Sequence, residues 1–345
     1  MRAVQLNAYG SVSNFENVEV PMPEAGPGQL RVKVAYGGLR WSDIMGRNGW
    51  PTRRHETPFI SGRELGGYVD QIGEGVTGFA LGQPLVAQTF KGAWAEYALV
   101  EPGGVWQVWT VPENIPLDRA VGYPANMVTA HLLVYTWGKV VEGQTVLLHS
   151  AAGGVGLCVL QILKRRFRNV AVIGICGSEA KAKLLEKSGC DHVINRRTHD
   201  YVQEVNRIRG PKATGRVAAG EQGGGVDVVL NGVCTDETFT KDAQVVRKRG
   251  RWILFGYPHS ETPHMPTLDV ESILYDGITI IPASQYAWWG TPDFEAAEKF
   301  TREWLASEPL VPTEVWPLSK VGEAQTALEE GRTTGKVVFK VAEND

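Results

Sequence analysis

The feature that most constrains the fold of this chain is a glycine-rich turn near its middle. Apolar residues 146–148 precede the turn, which runs from His149 to Gly156, and the apolar side of a helix follows at 157–163. A short buried strand, a glycine turn and a helix in this order are typical of a parallel α/β sheet. The uncharged run 143–163 has the length of a membrane span, but the glycines at its centre favour the strand–turn–helix interpretation.

Strands and helices are predicted to alternate after this turn. A second strand is predicted at 170–175, a helix at 179–188 and a third strand at 192–194. Further strands are predicted at 226–230, 252–255 and 278–282. Repeated βαβ units predict a doubly wound parallel sheet that carries helices on both faces.

The sequence on either side of this region has a different pattern. Short apolar alternations such as 30–34, interrupted by Gly and Pro, predict a strand-rich domain over the first 122 residues or so. Near the other end, a helix is predicted at 291–307 and a strand at 335–341. The segment 210–225 is rich in Gly and Ala and lacks apolar periodicity, so it is predicted to be a mobile surface insertion, with a functional lid as the alternative.

Composition excludes several classes of protein. The 345 residues, 43% hydrophobic and 21% charged, suffice for roughly two globular domains. With a net charge of −3, the chain has no global attraction for nucleic acid or an anionic membrane, so neither is expected as a partner. Its four separated cysteines argue against a disulfide framework or a Cys-rich zinc lobe. No apolar signal segment follows Met1, and a cytoplasmic location is therefore expected.

The glycine turn matches the fingerprint of a dinucleotide-binding loop, with Ala151, Gly153 and Gly156 at its three glycine positions. Glycines at 153 and 154 lack a Cβ, so a pyrophosphate can approach the backbone amides and the positive end of the following helix. Gly156 lets that helix lie close to the strand. The residues predicted to line the pyrophosphate are Ala152, Gly153, Gly154 and Val155.

The choice between NAD and NADP depends on the end of the second strand. An acidic residue there would bind the ribose 2′-hydroxyl of NAD, but residues 175–178 contain none. Ser178, Lys181 and Arg196 are instead predicted to hold a 2′-phosphate, although Glu179 lies close to them in sequence. The alternative is that both cations simply face solvent. NADPH is the predicted cofactor.

The whole chain resembles the medium-chain dehydrogenase/reductase superfamily, and most closely its zinc-independent quinone oxidoreductase branch, which includes enoyl reductases and proteins similar to the vesicle amine transport protein. Five stretches carry this resemblance: 38–45, 62–67, 126–130, 151–156 and 335–338. The resemblance implies a GroES-like catalytic domain at 1–122, a Rossmann NADP(H)-binding domain at 123–283, and a C-terminal segment at 284–345 that returns to the catalytic domain. It also implies an active site in the cleft between the domains and a homodimer joined at the edges of the Rossmann sheets, where 278–282 is the expected edge strand.

Further site residues follow from the resemblance. It implies that Thr129 and the loops 231–233 and 255–257 line the nicotinamide, and Lys336 in the closing motif is predicted as another cofactor contact. The additional predicted cofactor-binding residues are thus Thr129, Asn231, Phe255, Gly256 and Lys336. Five aromatic residues are candidates for pocket walls or simply for core: Trp41, Trp50, Tyr286, Trp288 and Trp289.

The chain departs from zinc-dependent members of the superfamily at two positions. Those enzymes have a catalytic Cys where this chain has Arg40 and a His where it has Arg63. A guanidinium has no lone pair to offer Zn²⁺, so no metal site is predicted. Arg40, Trp41 and Asp43 are the predicted catalytic residues, with Arg40 stabilising an enolate. A structural ion pair of Arg40 with Asp43 or Glu64 is the alternative.

The predicted reaction is NADPH-dependent reduction of the C=C bond of an α,β-unsaturated carbonyl compound, namely an enone, a quinone or an enoyl thioester such as an enoyl-CoA. A CoA ester would need cations for its phosphates, and Arg47, Arg53, Arg54 and His55 form a candidate patch or an ordinary polar loop. The alternatives are a one-electron quinone reductase and a non-catalytic NADPH-binding or interaction protein.

Overall fold

The computed structural model describes residues 1–50, 52, 54–104, 106–213, 218, 223–256, 270–308 and 311–341, without the side chain of Ser272. The described chain forms two compact units. One contains residues 1–126 and those from 298 onward, and the other lies between them in sequence. The domain boundaries predicted from the sequence lie at 122/123 and 283/284. Both structural divisions fall beside or within helices, where the polar and glycine signals used to predict boundaries are weak.

Sixteen strands and ten α-helices are defined within the described residues, numbered in chain order. The strands are β1 (Arg2–Leu6), β2 (Phe15–Glu19), β3 (Leu30–Gly38), β4 (Phe59–Ile60), β5 (Glu64–Ile72), β6 (Pro84–Gln88), β7 (Tyr97–Val100), β8 (Val108–Thr110), β9 (Thr145–Leu148), β10 (Ala171–Cys176), β11 (His192–Asn195), β12 (Val226–Asn231), β13 (Val246–Leu254), β14 (Thr279–Pro282), β15 (Thr313–Pro317) and β16 (Lys336–Lys340). The helices are α1 (Trp41–Arg47), α2 (Leu117–Ala120), α3 (Tyr123–His131), α4 (Gly154–Arg166), α5 (Glu179–Lys187), α6 (Tyr201–Arg209), α7 (Asp236–Val245), α8 (Val270–Asp276), α9 (Pro292–Ser307) and α10 (Val321–Glu329).

The first unit is built on a mixed seven-stranded sheet. Its strands run in the order β15-β16-β3-β5-β6-β8, with β7 also paired to β3, and β2-β1-β4 form a separate small sheet. The predicted alternation in β3 is confirmed, because Leu30, Val32 and Val34 are buried while Lys33 is exposed. The final strand β16 lies antiparallel to β3, so the C-terminal residues complete this sheet.

The second unit contains the predicted parallel sheet. Six strands run in the order β11-β10-β9-β12-β13-β14, and every pairing is parallel. The strand that precedes the glycine turn, β9, is central, and the order reverses direction there as in doubly wound nucleotide-binding folds. The α/β fold class is therefore confirmed. The strand predicted at 252–255 begins earlier, at Val246, because α7 leads directly into it and polar residues 247–251 hid its first half.

Two sequence interpretations concern particular segments. None of the described helices combines the length and apolarity needed to cross a lipid bilayer.

Both ends of the predicted insertion 210–225 are held in place, because the backbone of Lys212 bridges to Gly224 and its Nζ contacts Asp276 and the Ala243 carbonyl. Residues 214–217 and 219–222 of that insertion lie outside the described residues.

Candidate functional site

The glycine turn lies at the carboxyl end of β9, at the centre of the parallel sheet. Ser150 begins the turn with a φ of +49°, and Gly153 is the N-cap residue of α4. A Cβ on Gly156 would lie 2.5 Å from the carbonyl oxygens of Ser150 and Ala151, a distance that no side chain tolerates. The close approach of helix and strand expected at Gly156 is therefore present. Ala152, Gly153, Gly154 and Val155, the predicted pyrophosphate contacts, lie together at this helix start.

A cluster of cations surrounds the end of the neighbouring strand, β10. The guanidinium groups of Arg196 and Arg197 both approach Gly177, within 3.6–3.9 Å of the position a Cβ would take there. Ser178 is the N-cap of α5 and accepts a hydrogen bond from the Lys181 backbone N–H at 3.3 Å. Ser178 and Arg196 of the predicted group thus lie at this strand end, and a contact of the Lys181 side chain with a 2′-phosphate stays a prediction. Arg197 was missed, since the sequence gives no pattern that shows whether one or both of two adjacent loop cations approach the strand end.

The loops after β12 and β13 touch through their backbones. A Cβ on Gly256 would lie 1.8 Å from the Gly232 carbonyl oxygen, and one on Gly232 would lie 2.7 Å from the Phe255 ring. Asn231 is fully buried, and its Oδ1 accepts hydrogen bonds from the backbone N–H groups of Val233 and Cys234, both at 2.8 Å. Asn231 therefore shapes its loop. Tyr257 lies outside the described residues.

A buried network connects this loop with the glycine turn. Asp242 of α7 is completely buried and accepts hydrogen bonds from the Tyr201 hydroxyl at 2.9 Å and Asn231 Nδ2 at 2.7 Å. Its Oδ1 also lies 2.8 Å from Nε2 of His149, the residue between β9 and Ser150. The sequence analysis did not connect these residues, because 93 positions separate His149 from Asp242. The network fixes the two loops relative to each other.

Other predicted residues of the second unit have partners within it. The Thr129 hydroxyl donates to Gln285 Oε1 at 3.3 Å. Trp288 packs at a right angle on Trp137, with ring centroids 6.0 Å apart, while Tyr286 and Trp289 remain exposed. Whether these residues contact a nicotinamide stays a prediction.

The predicted catalytic residues lie in the first unit, at the start of α1. The backbone N–H of Arg40 donates to Asp43 Oδ2 at 2.7 Å, and Arg40 Nη1 donates to Gln88 Oε1 at 2.8 Å. Burial raises the pKa of the Asp43 carboxyl, while the nearby guanidinium groups of Arg40 and Arg63 oppose this rise. Trp41 is half-buried, and its Nε1 has no hydrogen-bond partner among the described residues.

These residues belong to a buried ionic cluster. Arg40 Nε lies 3.9 Å from Glu64 Oε1, and Arg63 Nε lies 3.9 Å from Asp43 Oδ1. Lys336 contacts Glu64 and donates to the Leu39 carbonyl at 3.0 Å. Each of the five side chains is more than nine-tenths buried. Lys336, predicted to bind the cofactor, therefore has partners within the first unit, and a further contact with the cofactor stays a prediction.

A neutral histidine adjoins this cluster. His55 Nε2 lies 3.3 Å from Arg63 Nη2, which can only donate, so Nε2 accepts and the ring proton is on Nδ1. Burial, together with the charges of Arg63 and Lys91, lowers the pKa of His55 to about 4. His55 is thus an uncharged acceptor that holds Arg63.

A small pocket opens beside His55 and Arg63, entirely within the first unit. Its empty space, including the part open to solvent, is about 260 Å³. Arg47, Lys91, Phe90, Asp43 and the buried Trp94 are among its lining residues. Arg47 is buried and bound to both carboxylate oxygens of Glu329, at 2.8 and 3.0 Å.

The patch considered for CoA phosphates is not formed as predicted. Arg47 is buried in its pair with Glu329, and His55 is buried and neutral, so neither offers surface charge. Arg54 is exposed and lies over the Tyr9 ring, 5.1 Å from its centroid. Arg53 lies outside the described residues. The prediction of this patch from neighbouring positions is wrong, because Arg47 lies on the buried face of α1.

The part of the chain that the structure describes contains no group of three or more His, Cys, Asp or Glu side chains that could hold a metal ion. At the two positions where the resemblance locates zinc ligands, the Arg40 and Arg63 guanidinium groups lie in the ionic cluster. Neither group can coordinate a cation.

Comparison with known proteins identifies relatives of both units. Residues 26–113 match the family model of the alcohol dehydrogenase GroES-like domain, and residues 154–303 match the family model described as zinc-binding dehydrogenase. Among solved structures, a mycobacterial protein complexed with NADPH has a TM-score of 0.82 at 26% identity, covering 99% of this chain and 100% of that one.

Three curated proteins illustrate the sequence similarity. The chain is 32% identical over 256 residues to the human synaptic vesicle membrane protein VAT-1 homolog-like, covering 74% of this chain but only 56% of that protein. It is 30% identical over 266 residues to a 2-haloacrylate reductase from a Burkholderia species, covering 74% of this chain and 73% of the relative. It is 25% identical over 347 residues to human quinone oxidoreductase, covering 98% and 97%.

Proposed function

The chain belongs to the quinone oxidoreductase branch of the medium-chain dehydrogenase/reductase superfamily, and we propose that it is an NADPH-dependent reductase of α,β-unsaturated carbonyl compounds that works without zinc. One observation carries this proposal. The chain keeps a complete nucleotide loop but has buried arginines at both positions where zinc-dependent relatives have ligands.

The second unit fits NADPH in two respects. The backbone around Gly156 is too tight for any side chain, as the close helix–strand packing of a dinucleotide-binding loop requires. Beside Gly177, two guanidinium groups and the capped start of α5 offer the charge that a 2′-phosphate needs. We therefore assign the 2′-phosphate to Ser178, Lys181, Arg196 and Arg197. When bound, NADPH supplies the hydride.

The first unit supplies the electrostatic stabilisation. Hydride addition to the β-carbon of the acceptor pushes the C=C electron pair toward the carbonyl, which produces an enolate. Arg40 and Arg63, buried and held by Gln88, His55 and Asp43, would stabilise that negative charge. Solvent then protonates the α-carbon. The names of two relatives, 2-haloacrylate reductase and quinone oxidoreductase, describe acceptors with a conjugated C=C bond.

We also propose that the protein is a cytoplasmic homodimer. Strand β14 forms one edge of the parallel sheet, and its outer side has no partner strand among the described residues. Beside it, α8 exposes Val270, Leu274 and Tyr275, each by more than two-thirds of its surface. An exposed strand edge next to apolar side chains suits pairing with a second copy.

The test is NADPH oxidation against a panel of quinones, enones and enoyl-CoA esters, followed by absorbance, with NADH and a metal chelator as controls. We expect chelator-resistant oxidation of NADPH by at least one acceptor, with NADH much poorer. Radical signals during quinone turnover would favour the one-electron alternative. Tight NADPH binding with no turnover of the panel would reject the reductase and leave a binding protein.

A further inference from the structure

The charged residues of the second unit are segregated toward the amino ends of its six parallel strands. We define the basic edge as the last three residues of each helical segment that leads to one of these strands, the loop that follows, and the first four residues of the strand. Within the described residues this edge has twelve Lys and Arg but only five Asp and Glu, a formal charge of +7 in a chain of −3. The overall net charge, which argued against an anionic partner, averages over this asymmetry. The cations are Lys139, Lys164, Arg165, Arg166, Arg168, Lys187, Arg207, Arg209, Lys212, Arg247, Lys248 and Arg249.

Direct contacts join neighbouring loops of the basic edge. The Glu142 carboxylate, before β9, accepts hydrogen bonds from the backbone N–H groups of residues 168–169, before β10, at 3.0 and 2.7 Å. Asp227 of β12 accepts the backbone N–H of Thr145 in β9 at 2.7 Å and Arg247 Nε of β13 at 2.5 Å. The edge is therefore one surface of the second unit rather than a set of separate charged loops.

The acids of the basic edge are largely engaged in such internal contacts. Asp276, at the end of α8, binds both Lys212 and Lys248. Asp191, before β11, binds Lys164 at the end of α4. Acids held in this way compensate their own partners and leave the remaining cations uncompensated.

The cations that remain lie at the surface. Counting Glu204, which pairs with Arg207 from within α6, lowers the formal charge of the edge only to +6. Four cations of the edge are exposed, and in the part of the chain that the structure describes no carboxylate lies within ion-pair distance of them: Lys139, Arg168, Lys187 and Arg249.

Complementation of helix dipoles does not account for all of these cations. Cations in the last turn of a helix stabilise its negative end, as those at the end of α4 do. Lys139 and Arg249 lie outside the helices, and both have a left-handed backbone, with φ of +42° and +60°. Side chains other than glycine rarely adopt this conformation, and here it holds two cations at the surface.

The basic edge extends in two dimensions. Six strands at a spacing of about 4.8 Å span about 24 Å. The chain steps from β9 through β10 to β11 in one direction and from β11 through β12 to β14 in the other, so right-handed connections place α4 and α5 on one face of the sheet and α6, α7 and α8 on the opposite face. Lys187 therefore belongs to one face and Arg209 to the other, while Arg249 lies on a strand between them.

We propose that the basic edge docks on the surface of an anionic lipid membrane. A planar array of negative headgroups contacts cations on both faces of the sheet at once, whereas a peptide or a nucleic-acid strand contacts a line of them. Val141, 57% exposed in the loop that carries Lys139, adds an apolar side chain for the headgroup region. The association is peripheral and reversible. The glycine turn stays free, because it lies at the opposite end of β9, and the proposal does not rest on the reductase function.

The first experiment is sedimentation of the full chain with vesicles of phosphatidylcholine alone or of phosphatidylcholine mixed with phosphatidylserine. We expect binding only to the vesicles that contain phosphatidylserine at about 0.1 M salt, where the Debye length is about 10 Å, and its loss at about 1 M, where that length is about 3 Å. Free phosphoserine should not compete, because a single headgroup meets few of the cations.

Two double variants divide the basic edge between the faces of the sheet. Arg168→Gln/Lys187→Gln removes cations from the face of α4 and α5, and Arg209→Gln/Arg249→Gln removes cations from α6 and from the strand region. Each should weaken vesicle binding by about 10- to 30-fold, since a cation near an anionic membrane contributes about fivefold. Arg54→Gln/Lys340→Gln, which removes two exposed cations of the first unit, is the matched control and should retain binding. Thermal unfolding followed by circular dichroism checks that each variant is folded.

Several results would overturn this proposal. They are absence of binding at low salt, equal binding to both kinds of vesicle, and equal weakening in the edge variants and the control. Weakening in only one of the two edge variants would show that a smaller or linear ligand binds there instead. A single-stranded oligonucleotide that binds more tightly than the vesicles, through the same four cations, would assign the edge to nucleic acid and reject the membrane.

Discussion

Arg63 and His55 are two bases in contact inside the first unit, an arrangement that is stable only because one of them is uncharged. The guanidinium keeps its proton at any accessible pH, so the imidazole must give up its own. His131 in the second unit is also kept neutral, mainly by burial, and its pKa is lowered to about 4. Neither histidine could be recognised as neutral from its sequence neighbours.

The lowered pKa values of His55 and His131 predict that the folded protein loses stability in acid. In the unfolded chain they bind protons below a pH of about 6.5, whereas in the folded protein they bind them only near pH 4. Their contribution to folding is therefore complete above pH 6.5 and is lost as the pH falls toward 4, by at most about 1.4 kcal/mol per pH unit for each histidine. The raised pKa of Asp43 acts in the opposite direction and offsets part of this loss.

Denaturant titrations at several pH values measure this effect. His131→Gln should show a smaller loss of unfolding free energy between about pH 7 and pH 5 than the unmodified protein. The exposed His199→Gln is the control. Equal pH slopes in the unmodified protein and in His131→Gln would contradict the assignment of neutral His131.

At the scale of elements, the candidate nucleotide site lies at the carboxyl ends of the parallel strands. The loops after β9, β10, β12 and β13 all leave the carboxyl ends of parallel strands, and Gly156 and Gly256 lie too close to neighbouring backbone to carry a Cβ. The strand–turn–helix at 145–166 and the cation group after β10 could be predicted, because both depend on residues close in sequence. Arg197 could not, because the sequence does not show that two adjacent loop cations both reach Gly177, and Asp242 could not, because its partner His149 lies 93 positions away.

The two arginines that follow β11 and approach Gly177, Arg196 and Arg197, predict a preference for NADPH over NADH. Removing both guanidinium groups in Arg196→Ala/Arg197→Ala should weaken NADPH binding by about 10- to 100-fold, the value of one or two charge-assisted hydrogen bonds. NADH binding should change little, since NADH has no 2′-phosphate. Dissociation constants for both nucleotides, measured by fluorescence titration, test this. Lys187→Ala at the far end of α5 is the control, and a parallel loss of NADH affinity would contradict the 2′-phosphate assignment.

The buried network at α7 predicts a stability effect. Asp242→Ala leaves the His149, Tyr201 and Asn231 groups without their shared acceptor, and we expect a loss of about 3–5 kcal/mol of unfolding free energy. NADPH affinity should fall with it, because the glycine turn and the β12 loop lose their common anchor. Asp236→Ala, an exposed acid on the same helix, should cost much less. Comparable losses in the two variants would show that the network contributes nothing.

At the scale of the whole molecule, helix α8, beside the outer strand β14 of the parallel sheet, exposes the apolar side chains of Leu274 and Tyr275. The double variant Leu274→Glu/Tyr275→Glu places charge on the apolar face of α8 beside β14. If two copies join there, light scattering should give a dimer for the unmodified protein and a monomer for the variant. Glu substitution at Leu81, exposed but in the first unit, should leave the dimer intact. A dimer that survives the double variant would move the interface elsewhere.

The sequence by itself determined the α/β class, the nucleotide loop and the loss of zinc ligands. Apolar periodicity and glycine spacing are local, and the nature of Arg40 and Arg63 is visible without coordinates. Only the tertiary structure decided which charges meet. It joined Lys336 to Glu64 across 272 positions, turned Arg47 inward toward Glu329, and left His55 neutral beside Arg63. The physical reason is that pairing and desolvation depend on distance and burial in the fold, and neither is encoded in the spacing of residues along the chain.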